Sequence, residues 1–162
     1  MLYRNTHDFC ACLPRVGRIL AIDYGRRRVG LALSDPGRCV ATPWEVLERT
    51  KGALLLRDIF TRIDKEAVCG LVIGYPLTLE GKKLPTTQGV EQFTRTIHRE
   101  RPALPILWAE ERFTTSTAER MLLEADLRRD TRAAVRDKVA AAVVLQQVLD
   151  LEPTPPPPST PE

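Results

Sequence analysis

Histidine is almost missing from this chain. His7 and His98 are the only two in 162 residues, and neither stands in a pattern that pairs it with a serine or cysteine nucleophile. Cysteine is also scarce: Cys10, Cys12, Cys39 and Cys69. "HDFCAC" groups a histidine with two of them, but no second cluster completes a four-ligand zinc site. The cysteines read as small apolar residues of a reducing compartment. No run approaches the roughly 18–20 apolar residues of a membrane span, and "MLYRNTHDFCACLPRV" lacks the apolar centre of a signal peptide. A cytoplasmic protein with no membrane partner is expected. Aromatic residues make up only 6%. Base stacking on aromatic planes would be limited, so if the ligand were a nucleic acid, a structured or double-stranded one would be favoured over a long single strand. Any catalysis is expected of carboxylates.

What is abundant is arginine, with 19 against 5 lysines and a net charge of +3. Its planar fork grips phosphate with two bonds. A GC-rich genome explains the bias equally well, so position must decide.

With 43% hydrophobic residues the chain can bury the core of one domain without disulfide or metal. Residues 1–16 read as an irregular extension and residues 17–151 as the folded domain. Residues 152–162, "EPTPPPPSTPE" with Leu151 left behind, read as a disordered proline-rich tail. "RILAIDY" from Arg18 is an apolar run expected as a strand buried on both faces. "RVGLALSD" follows across "GRRR" as an antiparallel hairpin partner, and "GRCVATP" adds a shorter third strand. "KGALLLRDIFTRIDKEA" carries apolar residues at 55, 56, 59, 60 and 63, the spacing of an amphipathic helix. "VCGLVIGYP" and "LPILWAEE" are further buried strands, separated by a helix near 86–100. "STAERMLLEADL" opens with the capping-box pair Ser116 and Glu119. "TRAAVRDKVAAAVVLQQVLDL" is a long final helix. The expectation is an α/β protein with a mixed sheet, its first strands antiparallel and the later ones parallel, and helices on both faces.

Acids stand at three places where a core should continue. Asp23 ends the apolar run Ile19–Ile22, and Glu110 and Glu111 end the run Ile106–Ala109. Each lies at the C-terminal end of an inner strand, where open α/β sheets place their sites. Asp137 shares a helical face with Ala141, Val144, Leu145 and Val148, an otherwise apolar stripe. Each acid has an ordinary reading: a turn cap for Asp23, a surface pair with Arg112 or Arg26 for Glu111, an arginine partner for Asp137. Together, without histidine, they suit oxygen-preferring Mg²⁺ or Mn²⁺ and metal-assisted hydrolysis of a phosphate ester. Glu110 is a candidate extra ligand. Cations surround them: Arg26, Arg27 and Arg28 after Asp23, Lys82 and Lys83 in a polar loop, Arg112 after Glu111, and Arg128, Arg132 and Arg136 spaced by four. Such a rim would offset repulsion of a polyanion and position its backbone.

"AIDYGRRRVGLALSDP", "LVIGYPLTLEG", "WAEERFTTSTAE" and "RDKVAAAVVLQQVLD" resemble, in order, the four signature blocks of the YqgF (RuvX-like) family. The resemblance runs from Arg18 to Leu151. It implies a ribonuclease H-like fold and a nuclease that matures the 5′ end of pre-16S rRNA or resolves Holliday junctions. It also implies that Asp23, Glu111 and Asp137 coordinate divalent metal, with an activated water as nucleophile, and that Arg112 and Thr114 sit in the Glu111 block. Its partner would be structured RNA or branched DNA, acted on by a monomer or a homodimer. The chain departs from the family at Arg26, where threonine is usual, at Glu110, where aspartate is usual, and at Lys82-Lys83-Leu84-Pro85. Two rival classes remain: a ribosome-associated binding protein without useful catalysis, and a nucleotide binder of the actin-like kind. The second needs two such domains.

Overall fold

The computed structural model describes residues 1–49, 52–78, 80–111 and 129–151, the side chains of 129–134 excepted. Six strands form one sheet: β1 (Leu2–Tyr3), β2 (Arg18–Tyr24), β3 (Arg28–Ser34), β4 (Ala41–Glu48), β5 (Val68–Pro76) and β6 (Ile106–Glu111). Their order across the sheet is β1-β6-β5-β2-β3-β4. The β2–β3 and β3–β4 pairs are antiparallel, while β2–β5, β5–β6 and β1–β6 are parallel. The mixed sheet expected from the sequence is therefore present.

Helices cover both faces. Alternation along each strand sends Leu20, Ile22, Leu71, Ile73, Ile106 and Trp108 to one side, into a core with α2 (Gly52–Lys65) and α3 (Pro85–Glu100). Ile19, Ala21, Ala32, Val72 and Leu107 face the other side, against α1 (Thr6–Cys12) and α4 (Arg129–Leu151). The apolar stripe read on the last helix is the one that packs: Ala141, Val144, Leu145 and Val148 are all buried. In α2, Leu55, Ile59 and Ile63 are buried and Leu56 and Phe60 pack beside them. The hairpin turn closes through the Gly25 N–H donating to the Arg28 carbonyl at 3.0 Å.

Two elements differ from expectation. The third strand is longer and later than "GRCVATP", running Ala41–Glu48 at a sheet edge. Edge placement tolerates Pro43, which cannot donate to the ladder. Leu31 pairs with Glu45 and Ala32 with Pro43, so Trp44 is the extra residue of a bulge. Residues 1–16, expected to be irregular, add β1 and α1 to the fold. Phe9 is fully buried and Leu13 nearly so, in space left by Gly70, where a Cβ would stand 2.8 Å from Leu13 Cδ2 and 2.9 Å from Phe9 Cζ. Arg38 secures the segment, donating to the Pro14 carbonyl at 2.7 Å and the Gly17 carbonyl at 3.2 Å. Seven helical residues are too few for an apolar period to register in the sequence. The helix start at Ser116 and the tail 152–162 lie outside the described residues.

Candidate active site

The acids reach one edge of the sheet because strand alternation puts them on one face. On β2, Ile19 and Ala21 face α4, so Asp23 does too. On β6, Leu107 and Ala109 face α4, and Glu111 continues that row. β5 lies between these strands. Its contribution on that face is Gly74, whose missing side chain makes room for the Glu111 carboxyl. A Cβ there would stand 2.7 Å from Glu111 Cδ and 2.8 Å from Oε1.

Asp137 arrives from α4. Across the β2–β3 ladder Asp23 pairs with Gly30, and a Cβ at Gly30 would overlap the main-chain carbonyl of Asp137 and lie 2.8 Å from the Lys138 nitrogen. The helix backbone rests directly on the sheet at that point. Gly30 and Gly74 are positioning residues that pattern reading passes over, because a glycine inside an apolar run carries no sign of what will approach it.

Electrostatics join the acids in pairs. Burial, with the charge of Asp137 added, pushes the Asp23 carboxyl up to about 7. Burial, with the charge of Asp23 added, pushes Glu111 up to about 8. Burial also raises Asp137, against the pull of the Arg28 and Arg136 guanidinium groups. Glu111 Oε1 is buried with no hydrogen-bond partner, an orphan that a fold keeps only at a cost. Asp23 is the hub. Among the described residues no three acid, histidine or cysteine side chains close into a ready-made metal cage.

The remaining candidates divide. Glu110 falls on the opposite face from Glu111, the face of Ile106 and Trp108, so the sheet does not bring it to Asp23. Arg28, at the start of β3, acts on Asp137 as a charge neighbour, as does exposed Arg136. Arg26 and Arg27 are exposed on the turn beyond Asp23, and Lys82 is exposed in the 77–83 loop. Lys83 is engaged elsewhere: its ammonium lies 2.8 Å from Glu91 Oε1, which also accepts from the Tyr75 hydroxyl at 2.7 Å. Arg112, Thr114 and the Arg132 side chain lie outside the described residues.

A model of the family described as "RuvX: Holliday junction resolvase" matches residues 17–151. A protein of Rhodobacter capsulatus named "Putative pre-16S rRNA nuclease" is 39% identical over 150 residues, covering 93% of this chain and 94% of that one. A protein of the same name from Paramagnetospirillum magneticum is 42% identical over 143 residues, covering 88% and 92%. Among solved structures, T. thermophilus RuvC in complex with a Holliday junction substrate superposes with a TM-score of 0.51 at 12% identity, covering 85% of this chain and 97% of that one. That likeness supports the ribonuclease H-like fold alone. With a family model across 17–151 and relatives near 40% identity over nine-tenths of its length, this chain belongs to the RuvX family.

Proposed function

We propose that the chain is a divalent-metal-dependent nuclease that hydrolyses phosphodiester bonds in structured nucleic acid, with the 5′ end of pre-16S rRNA as its substrate. The observation that carries the reading is the Asp23–Glu111–Asp137 group: partly buried carboxylates coupled through Asp23, with Glu111 Oε1 left unsatisfied. Such an arrangement disfavours its own charges until a cation joins it. The all-oxygen donor set fits Mg²⁺ or Mn²⁺, held by Asp23 with Glu111 and Asp137. A divalent ion there would supply a Lewis acid for a phosphoryl oxygen and make a bound water acidic.

The protein's own part is placement. Asp23 is fixed on an inner strand, Glu111 is seated against Gly74, and Asp137 is fixed by the contact of α4 with Gly30. Arg26, Arg27 and Lys82 offer exposed cations for the phosphate backbone, which orient a substrate without reading its sequence. A pure binder of polyanions gains nothing from buried carboxylates at its contact edge, which weighs against the binding-protein reading. The names of the relatives support the ribosomal RNA substrate.

The family description favours a second reading, resolution of branched DNA. Symmetric cutting of two strands calls for a twofold dimer. Purified protein, offered matched pre-16S RNA, four-way junction DNA and single-stranded DNA with Mg²⁺ or Mn²⁺, separates the two. Cleavage of the RNA at its mature 5′ end, absent in Asp23→Asn, supports the first. Paired symmetric nicks in the junction by a sedimenting dimer would replace it with the second. No metal-dependent cleavage of any substrate would sink both. Among the described residues no helix is long and apolar enough to cross a membrane.

A further inference from the structure

We propose that the groove between α2 and α3 is a second nucleic-acid site, which holds an unpaired stretch of the substrate strand beside the catalytic edge. The proposal rests on the nuclease reading and adds to it a site on the other face of the sheet.

A cavity of about 860 Å³ opens there, lined among others by Tyr24, Arg49, Arg57, Phe60, Phe93 and Arg99. Its size lies within the ~300–1,000 Å³ of ligand clefts and leaves room for a nucleotide with its phosphate. A smaller hollow of about 200 Å³ shares Tyr24, Arg49 and Gly89 with it and adds Gly25 and Arg26. The groove thus continues to the turn that follows Asp23.

Its lining combines the two chemistries a single strand needs. The chain has only nine aromatic residues, and three of them, Tyr24, Phe60 and Phe93, meet here. Tyr24 and Phe93 are stacked, 4.4 Å between centroids at 16°. The Arg49 guanidinium lies over the Tyr24 ring at 4.4 Å and donates to the Gly25 carbonyl at 3.4 Å. This makes a column of Phe93, Tyr24 and Arg49 that ends on a guanidinium plane, a surface on which a base stacks. Phe60 carries a second guanidinium, that of Arg101, at 4.8 Å.

Charge makes the same distinction. Of the two acids lining the groove, Asp64 is gripped by Arg101 at 2.8 and 2.9 Å, leaving Glu100. Among the described residues none of Arg26, Arg49, Arg57 and Arg99 is in an ion pair with a carboxylate. A stacked column capped by a guanidinium, beside arginines that have no carboxylate partner, suits phosphate and base together. A neutral apolar peptide would leave those cations without an anionic partner. A duplex would turn its bases inward, away from the aromatic planes.

The test uses the full chain in chelator, so that binding is read without cleavage. Labelled single-stranded RNA and a matched duplex are titrated by fluorescence anisotropy against wild type, Arg57→Ala, Arg99→Ala and Phe60→Leu, the last keeping an apolar side chain while removing the ring. Expected are single-strand binding weakened about fivefold or more by Phe60→Leu, and a salt slope lowered by about 0.7 for each arginine removed. A 4-thiouridine strand should crosslink to residues of α2 or α3. Single-strand affinity and slope unchanged in all three variants would overturn the groove, while metal-dependent cleavage in the same preparations would leave the nuclease reading standing. Equal weakening of the duplex would overturn the assignment to unpaired strand. A variant that changes the sedimenting species, with RNA affinity unaltered, would make the groove an interface between copies and overturn the proposal too.

Discussion

The main chain of Asp137 occupies the space that a side chain at Gly30 would fill. Because Gly30 pairs with Asp23 across the β2–β3 ladder, this contact sets the carboxylate-bearing turn of α4 on β3, directly beside the central acid of β2. The proposed active edge depends on a hydrogen atom where every other residue has a carbon.

Gly30→Ala should therefore damage both stability and catalysis. Overpacking of this kind costs about 1–3 kcal/mol, and a displacement near 1 Å in a reacting group costs about 100-fold in rate. Denaturant unfolding and cleavage rates measure the two. An alanine variant equal to wild type in both would contradict so close an approach.

Asp23→Asn, Glu111→Gln and Asp137→Asn should each lower metal-dependent cleavage by about 10²–10⁴-fold while circular dichroism stays unchanged. Full activity in any two of them would remove the three-acid site. Glu110→Gln should cost far less, since Glu110 faces the other side of the sheet.

The buried acids predict how stability responds to pH in chelator. Asp23 rises from 3.8 to about 7 and Glu111 from 4.5 to about 8. Between those limits the folded state holds protons that the unfolded chain has released, so unfolding is favoured as pH increases. The stability present below pH 4 should fall progressively up to about pH 8, by an amount on the order of a few kcal/mol. Glu111→Gln should flatten the upper part of this profile. Mn²⁺ should raise the melting temperature more at pH 8 than at pH 6, because protons compete with it. Thermal melts across pH with and without metal provide the check. A pH-independent midpoint in chelator would mean the acids are not desolvated.

Phe9→Ala tests whether the first sixteen residues belong to the fold. Emptying a fully buried phenylalanine site costs about 3–5 kcal/mol, and urea unfolding should move by that amount. A change under 1 kcal/mol would return the segment to the status of an appendage.

The rim cations should separate by salt dependence. Arg26→Ala removes an exposed cation and should lower the salt slope of duplex binding by about 0.9. Lys83→Ala should lower it less, because Glu91 already engages that ammonium at 2.8 Å. Equal slopes for the two variants would show that the ion pair opens to meet substrate.

Much of this molecule is legible along the chain. β2 and β5 fall on the residues expected for them, since a strand buried on both faces is an unbroken apolar run that a polar residue ends. The acids stand out for the same reason: a carboxylate closing such a run contradicts the hydrophobicity around it. β4 departs from the expected place because an edge strand with Pro43 and a bulge at Trp44 lacks either period. The N-terminal segment gives no signal along the chain because its stability comes from Gly70, Arg38 and β6, all distant in sequence. Sparse aromatics argued against stacking, a count that could not reveal three of them lining one groove.

The sequence by itself determined the alternation of buried strands and helices, the family, and which acids interrupt the core, because each is written in residue types close together along the chain. Only the tertiary structure decided that Glu110 falls on the face turned away from Asp23, that Lys83 is engaged by Glu91, and that Gly30 and Gly74 leave room at the candidate site. Those follow from strand register and from the direct contact of a helix with a sheet, relations between distant segments that no local pattern encodes.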